Sequence, residues 1–406
     1  MKNTFSHFFY LVLACGLLCI GCSSQTEPPA EEVVVSTEVG SGEVNGYKLV
    51  WQDLFNGTTL DETNNWVIEV NGDGGGNSEL QYYRRENISV GVEPVSGDHC
   101  LIIKSKKESY SGKTCTSGRL KTLGKMSFKH GKVEARIKLP KTANGLWPAF
   151  WMMGADYSTV GWPKCGEMDI LEMGNVNGIT RGTQDKYFST WFHWGESWNG
   201  GSYPNWGKDF TNATGIQDDF HLFTLIWDDN ALKSYLDLDK NPAATPICEM
   251  AINGADVAGN AAHYFHKKFF VLLNLAIGGN FTQIWDINKI TALNAANNYE
   301  SNMYIDYVKV YQKSVAGEEY SGPKLTATSK IISNNEFKMY PNPATDRLTI
   351  QSADPIAQVT VFNLAGKEIM TVRNSNSIDT SSLTKGNYVV KIEDKNGKTE
   401  SHQLSK

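Results

Sequence analysis

An all-β protein is the fold class the sequence predicts, and three observations carry that expectation. VEARIKL alternates apolar Val133, Ala135, Ile137 and Leu139 with Glu134, Arg136 and Lys138, the pattern of a half-buried strand. HLFTLIW and FFVLLNLAI are apolar on both faces, as strands sandwiched between layers are. Gly, Asn and Asp clusters such as NGDGGGNS and NGGSYPNWG separate the runs, while helical periodicity is scarce. A large sandwich with long surface loops satisfies all three.

In chain order, the N-terminus comes first. Lys2, an apolar stretch from Phe8 to Ile20 and small residues around Gly21 have the layout of a secretory signal over residues 1–22. The apolar stretch is short for a bilayer span. LCIGC resembles a bacterial lipobox, which would place a lipid on Cys22, although Cys19 stands where Leu is usual; plain cleavage is the alternative. Residues 23–46, rich in Ser, Thr, Glu, Pro and Gly, read as a flexible tether.

An all-β domain is expected over residues 47–312. After KVYQK the composition changes, and residues 313–337 read as a linker. In residues 338–406, Leu348 and Ile350, Val359 and Val361, and Tyr388, Val390 and Ile392 alternate with unlike neighbours, which predicts a small C-terminal β-sandwich.

The 406 residues, 40% hydrophobic and 20% charged, suit two globular domains. A net charge of −6 without a long basic block argues against nucleic acid as a partner and favours a neutral substrate. Eleven Trp, 17 Tyr and 17 Phe suit stacking on sugar rings and equally suit a large β core. Of seven Cys, Cys15, Cys19 and Cys22 belong to the leader, which leaves Cys100, Cys115, Cys165 and Cys248. A hairpin of 99–105 with 116–122 would put Cys100 and Cys115 at opposite ends, against their pairing; the other pairings stay open. No Cys pair at zinc spacing and no HExxH occurs, so no transition-metal cofactor is expected.

The informative stretch is GEMDILEM at 166–173. On a regular strand Glu167 and Asp169 share a face and Glu172 falls on the other. One residue bulged near Ile170 or Leu171 restores the phase and aligns all three, and bulges recur beside active sites. On a helix Glu167 and Glu172 would diverge by about 140°. Two carboxylates on one strand face suit glycoside hydrolysis, in which one attacks or supports the anomeric carbon and the other protonates the leaving oxygen. A retaining enzyme would hold them about 5–5.5 Å apart. Asp169 between them would keep Glu167 ionised, while like-charge repulsion raises Glu172. A calcium site or a solvated strand face is the competing reading. Upstream, GLWPAFWMMG sets Trp147 and Trp151 on one strand face, as sugar platforms or as core.

GLWPAFWMMG followed by GWPKCGEMDILEMGN resembles the signature of glycoside hydrolase family 16, in the ExDxxE form of its laminarinase-like members. WQDLFNGTTLD, GNSELQYY, SGRLKT, FKHGKVEARIKLP, NLAIGGNF and MYIDYVKVYQ extend the resemblance over residues 47–312. Leu54 departs from the usual Glu. The resemblance implies a curved, concanavalin-like β-jelly-roll sandwich that cuts inside β-linked polysaccharides with retention. It implies Glu167 as nucleophile, Glu172 as general acid/base and Asp169 as assisting residue. Trp147 and Trp151 would be sugar platforms, Asn77 and Arg119 hydroxyl contacts, and His193 a neighbour of the acid/base. For Arg119 and His193 a structural hydrogen bond is the equal alternative. Asp306 resembles a family position that binds a structural Ca2+, against a strand-end salt bridge; no cofactor is required for catalysis. The expected substrate is β-1,3-glucan. Mixed-linkage glucan, agar, porphyran and carrageenan are the alternatives within the fold, and a non-catalytic lectin is the alternative outside the enzyme class.

MYPNPATDRLTI, VFNLAGKEI and IDTSSLTKGNYVVKI resemble the C-terminal sorting domain of type IX secretion, over residues 338–406. That resemblance implies the secretion machinery as partner and an exported chain, secreted or attached to the cell surface; a monomer is expected. A carbohydrate-binding or adhesive module is the alternative for the tail.

Overall fold

The computed structural model describes residues 46–325, 337–352, 355–363, 367–395 and 399–406. The expected signal over 1–22, Cys22 with it, and the tether over 23–45 lie outside the described residues. Strands dominate, and the described residues hold three short α-helices. None of their helices is long and apolar enough to cross a membrane.

Residues 46–321 build two mostly antiparallel sheets. A ten-stranded sheet runs Cys248–Ala251, Ala231–Leu236, His221–Trp227, Gly131–Lys138, Glu300–Gln312, His99–Lys106, Thr116–Ser117 and Tyr82–Tyr83, with Lys48–Asp53 and Ile88–Val92 paired off this path. A nine-stranded sheet runs Asn205–Thr211, Tyr187–His193, Glu167–Met173, Leu146–Gly154, Phe269–Ile277, Arg119–Lys121 and Val67–Ile68, with Ser127–Lys129 and Glu319–Ser321 off it. One apolar cluster joins the inner faces. Val133, Ala135 and Ile137 come from the first sheet, and Phe150, Met152, Met168, Leu171, Leu273 and Leu275 from the second. The alternation in VEARIKL and the double-sided apolarity of FFVLLNLAI are thus both explained. Every residue of Phe269–Ile277 is buried, because its outer side carries a smaller cluster of Ala149, Trp151, Met153, Cys165, Phe270 and Leu272.

Two expectations about connections change. The 99–105 and 116–122 segments do not form one hairpin: Thr116 pairs with Lys106, but Arg119–Lys121 has crossed to the other sheet beside Leu272–Asn274. Gly118 makes the corner, where an added Cβ would lie 2.6 Å from Ile88 Cγ1. The 313–337 stretch read as linker carries the strand Glu319–Ser321, paired with Ser127–Lys129. Gln312 Nε2 donates to the Glu319 carbonyl, and Tyr320 packs on the core, so this stretch has apolar surface to bury.

In the tail, Phe337–Tyr340, Arg347–Ser352 and Ser377–Asp379 form one sheet, and Glu368–Arg373, Ile356–Asn363, Asn387–Asp394 and Thr399–Ser405 another. All seven alternating residues expected to be buried there share one cluster. Cys100, Cys115, Cys165 and Cys248 are free thiols, each buried.

Candidate active site

The acid strand Glu167–Met173 lies between Leu146–Gly154 and Tyr187–His193. Asp169 faces Trp151 and Leu171 faces Phe150, so Ile170 has no partner on that side. On the other side Asp169 faces Trp191 and Glu172 faces Ser189, a span of three residues against two. The bulge therefore sits at Ile170, and the side chains show its effect. Ile170 and Leu171, adjacent in the chain, both join the main core. Glu172 is thereby rotated onto the face of Glu167 and Asp169. Gly174 ends the strand at φ 101°, where a Cβ would meet the Leu146 carbonyl oxygen at 2.0 Å.

Neighbouring strands fix the row. Trp147 Nε1 donates to Glu172 Oε1 at 3.1 Å, and its ring stacks on Phe281 with centroids 4.6 Å apart. Trp151 Nε1 donates to Asn274 Oδ1 at 2.8 Å, and the Arg119 guanidinium covers its ring at 4.9 Å. Thr190 Oγ1 donates to the Asp169 carbonyl at 2.8 Å. His193 Nε2 lies 3.3 Å from Asp169 Oδ2. The His193 ring is framed by Trp191 and Tyr203, and Trp162 meets Tyr203 edge-on. Gly207, opposite Trp191, leaves room for that indole, since a Cβ there would sit 2.3 Å from Trp191 Cδ2.

Burial pushes all three carboxyls upward, and their mutual repulsion adds to it for the two glutamates. Glu167 rises to about 8, from burial first and Asp169 second, with His193, Arg119 and the Trp162 indole opposing. Asp169 also rises to about 8 through burial, opposed by a hydrogen bond with Glu167. Glu172 rises well above the usual carboxylate range, through burial and then Asp169, with Trp147 among the opposing groups. His193 draws both glutamates toward ionisation, and Arg119 draws Glu167 in addition. Two carboxyls on one face with unlike charged neighbours are chemically able to take different roles in proton transfer.

The remaining expected residues are each held by specific neighbours. Trp147 and Trp151 share a face, but only 8% and 9% of their surfaces are exposed, and Phe281 and Arg119 cover their rings. They act as the floor and as donors to Glu172 and Asn274. His193 neighbours Asp169, and Glu167 across the ladder, because antiparallel pairing sets it opposite the start of the acid strand. Arg119 is held by Glu69, with Nε 3.1 Å from Oε2. Asn77 is exposed, and its carbonyl accepts from the Asn280 amide, which holds the turn carrying Phe281. Asp306 Oδ2 accepts from Arg136 Nη1 at 2.7 Å, the ion-pair alternative to calcium at that position.

Trp162, Tyr203, Asn274 and Glu79 join the site without having been expected there. Glu79 is 5% exposed and accepts from Gln81 Nε2 at 2.5 Å and Tyr83 Oη at 2.7 Å, near Arg119. Its signal is present in GNSELQYY, an acid set among residues that a strand would bury. A shallow hollow of about 530 Å³ beside Trp194, Trp206 and Met250 contains none of the acid row.

Comparison with known proteins identifies two families along the chain. Residues 84–245 match the family model Glycosyl hydrolases family 16, and residues 338–405 match the Secretion system C-terminal sorting domain. The chain is 30% identical to a beta-glucanase of Rhodothermus marinus, over 66% of this chain and 85% of that protein. It is 31% identical to glucan endo-1,3-beta-glucosidase A1 of Niallia circulans, over 70% of this chain. The chain spans 40% of that relative's length and 34% of the clotting factor G alpha subunit of Tachypleus tridentatus. Among solved structures, a Bacteroides ovatus mixed-linkage glucan protein of the same family, in complex with its G4G4G3G product, superposes with a TM-score of 0.55 at 38% identity. That match covers 64% of this chain and 99% of the other.

Proposed function

Because the chain belongs to glycoside hydrolase family 16, we propose that it is an exported endo-glucanase that hydrolyses β-1,3-glucan by double displacement. The observation that carries this reading is the bulge at Ile170, which brings Glu167, Asp169 and Glu172 to one strand face. Glu167 attacks the anomeric carbon while Glu172 gives its proton to the departing glycosidic oxygen, and a covalent glycosyl ester forms. Glu172, now a carboxylate, takes a proton from water as that water displaces Glu167 and regenerates both groups. Asp169 holds Glu167 by the hydrogen bond between them. The sorting tail supports export by type IX secretion, followed by removal of the tail.

The activity for which the Niallia circulans relative is named supports β-1,3 linkages, as does the bulged form of the acid strand. Mixed-linkage glucan is the second reading, favoured by the Bacteroides ovatus structure. Product analysis on laminarin, mixed-linkage glucan, agarose and carrageenan separates them. Oligosaccharides from laminarin, absent with Glu167→Ser, are expected. Release from mixed-linkage glucan alone replaces the linkage assignment, and release from a galactan alone sinks the glucan reading. Binding without release by either protein returns a lectin. The secreted form is expected to lack residues beyond about 338; a retained tail that binds insoluble glucan would instead mark a binding module.

A further inference from the structure

We propose that Glu167, Asp169 and His193 also form a site for a borderline transition-metal cation, Zn2+ or Cu2+, whose binding excludes glucan from the acid row. The metal site stands on geometry alone, and its competition with glucan rests on the glucanase reading.

One donor atom from each of the three residues can be chosen so that all lie within 4.8 Å of one another. His193 Nε2 and Asp169 Oδ2 are 3.3 Å apart. Two ligands on a tetrahedral zinc with bonds of about 2.0–2.1 Å are separated by about 3.3 Å, so this edge is already at the spacing of a bound ion. The second observation concerns Asp169 itself. The residue is 4% exposed, yet its Oδ2 receives no hydrogen bond, because the imidazole lies outside hydrogen-bonding geometry. Buried carboxylate oxygens are ordinarily satisfied, and a cation between Oδ2 and Nε2 would satisfy this one.

Ligand chemistry sets the class of ion. One imidazole with two carboxylates favours zinc or copper over calcium and magnesium, which prefer all-oxygen cages of higher coordination. Three protein ligands leave a fourth position for water on the side where a sugar would lie. Affinity is set by the outer shell. His193 Nδ1 has no hydrogen-bond acceptor, and loss of that support weakens metal sites by about 10- to 100-fold, so the ion binds reversibly. The imidazole pair of His130 and His266 offers no such site: His130 Nε2 is spent on His266 Nδ1 at 2.9 Å, and His266 Nε2 on the Ile252 carbonyl.

Calorimetry of the chelator-treated full-length chain with ZnCl2 tests this, together with electron paramagnetic resonance of the Cu2+ form. One ion per chain is expected, bound about tenfold or more weakly by His193→Ala and by Asp169→Asn, whose melting curves report that each is folded. Glu172→Gln, which keeps all three ligands, should bind zinc like wild type although it lacks the proton donor. The copper spectrum should show nitrogen coupling that His193→Ala removes. Zinc should raise KM for laminarin with little change in kcat, reversibly by EDTA. No binding, or binding indifferent to both substitutions, would overturn the site and move the ion to a surface pair such as His263 and Asp256. Binding without any effect on KM would overturn the competition. If the chain hydrolyses no glucan at all, zinc affinity measured by calorimetry still decides whether the metal site exists.

Discussion

Trp147 and Glu172 are joined by an indole N–H donated to a carboxylate oxygen across 3.1 Å. That bond favours the ionised acid, and it strengthens as Glu172 loses its proton to a leaving group. Trp147→Phe keeps an aromatic ring against Phe281 and deletes the donor alone. Glu172 should become a weaker acid, and kcat should fall roughly tenfold, corresponding to about 1.4 kcal/mol. The alkaline limb of the pH profile should move to higher pH, because the proton that must be present is held more firmly. A slower variant with an unmoved alkaline limb would mean that the indole acts by packing.

How much of this site can be read in advance depends on where each signal lies. The bulge is legible because period-two arithmetic puts Glu172 out of phase by one residue, and only an inserted residue repairs that. The seven alternating tail residues are legible for the same reason. The Trp pair reads in sequence as platforms or as core; Leu146–Gly154 is buried along its whole length, and an apolar run cannot say which of its rings another side chain covers. Arg119 gives no sign that Glu69, fifty residues earlier, claims it. Tyr203 and Trp162 come from loops on either side of the acid strand, where no periodicity points.

The acid row should cost stability at high pH. The carboxyls of Glu167 and Asp169 rise to about 8 from ordinary values near 4. Between those limits the native state keeps protons that the unfolded chain has released, so stability falls as pH rises through that window. Glu167→Gln and Asp169→Asn remove the burden. Each should be more stable than wild type at pH 8, by on the order of 1–3 kcal/mol, and about equal to it near pH 4. Thermal melts at the two pH values check this, and variants no more stable at pH 8 would show that water or a cation already relieves the row.

His130 should act in the opposite sense. Burial first, then His266, hold its imidazole down to about 4 from the ordinary 6.5. The native ring stays neutral while the unfolded ring takes a proton, so this contribution is complete above 6.5 and is lost as pH falls toward 4. Its backbone has φ 58°, a conformation that Asn tolerates. His130→Asn breaks the bond to His266 and should be about 1 kcal/mol less stable at pH 7. The gap from wild type should narrow toward pH 5, and a constant gap across that range would remove His130 from the acid response.

Arg119 ties the floor of the row to its proton balance. Its guanidinium pairs with Glu69, lies over Trp151, and draws Glu167 and Glu79 toward ionisation. Arg119→Met would strand two acids that water cannot easily reach, Glu79 being 5% exposed. The expected loss is about 3–5 kcal/mol, the range for removing one partner of a buried charge pair. Lys121 stays 2.6 Å from Glu69 and should soften the loss on that side, so Glu79 accounts for most of it. Adding Glu79→Gln to Arg119→Met should therefore recover stability. Activity gives an independent reading, because Glu167 must be ionised to attack carbon and Arg119 favours its ionised form. Without the cation the acid limb of kcat/KM should move to higher pH, in the double variant as much as in the single one. Recovery of stability without recovery of the acid limb would separate the two roles of Arg119. Recovery of both would mean that Glu79 mispositions Glu167 when left unpaired, and that the guanidinium charge has no direct part in ionising it.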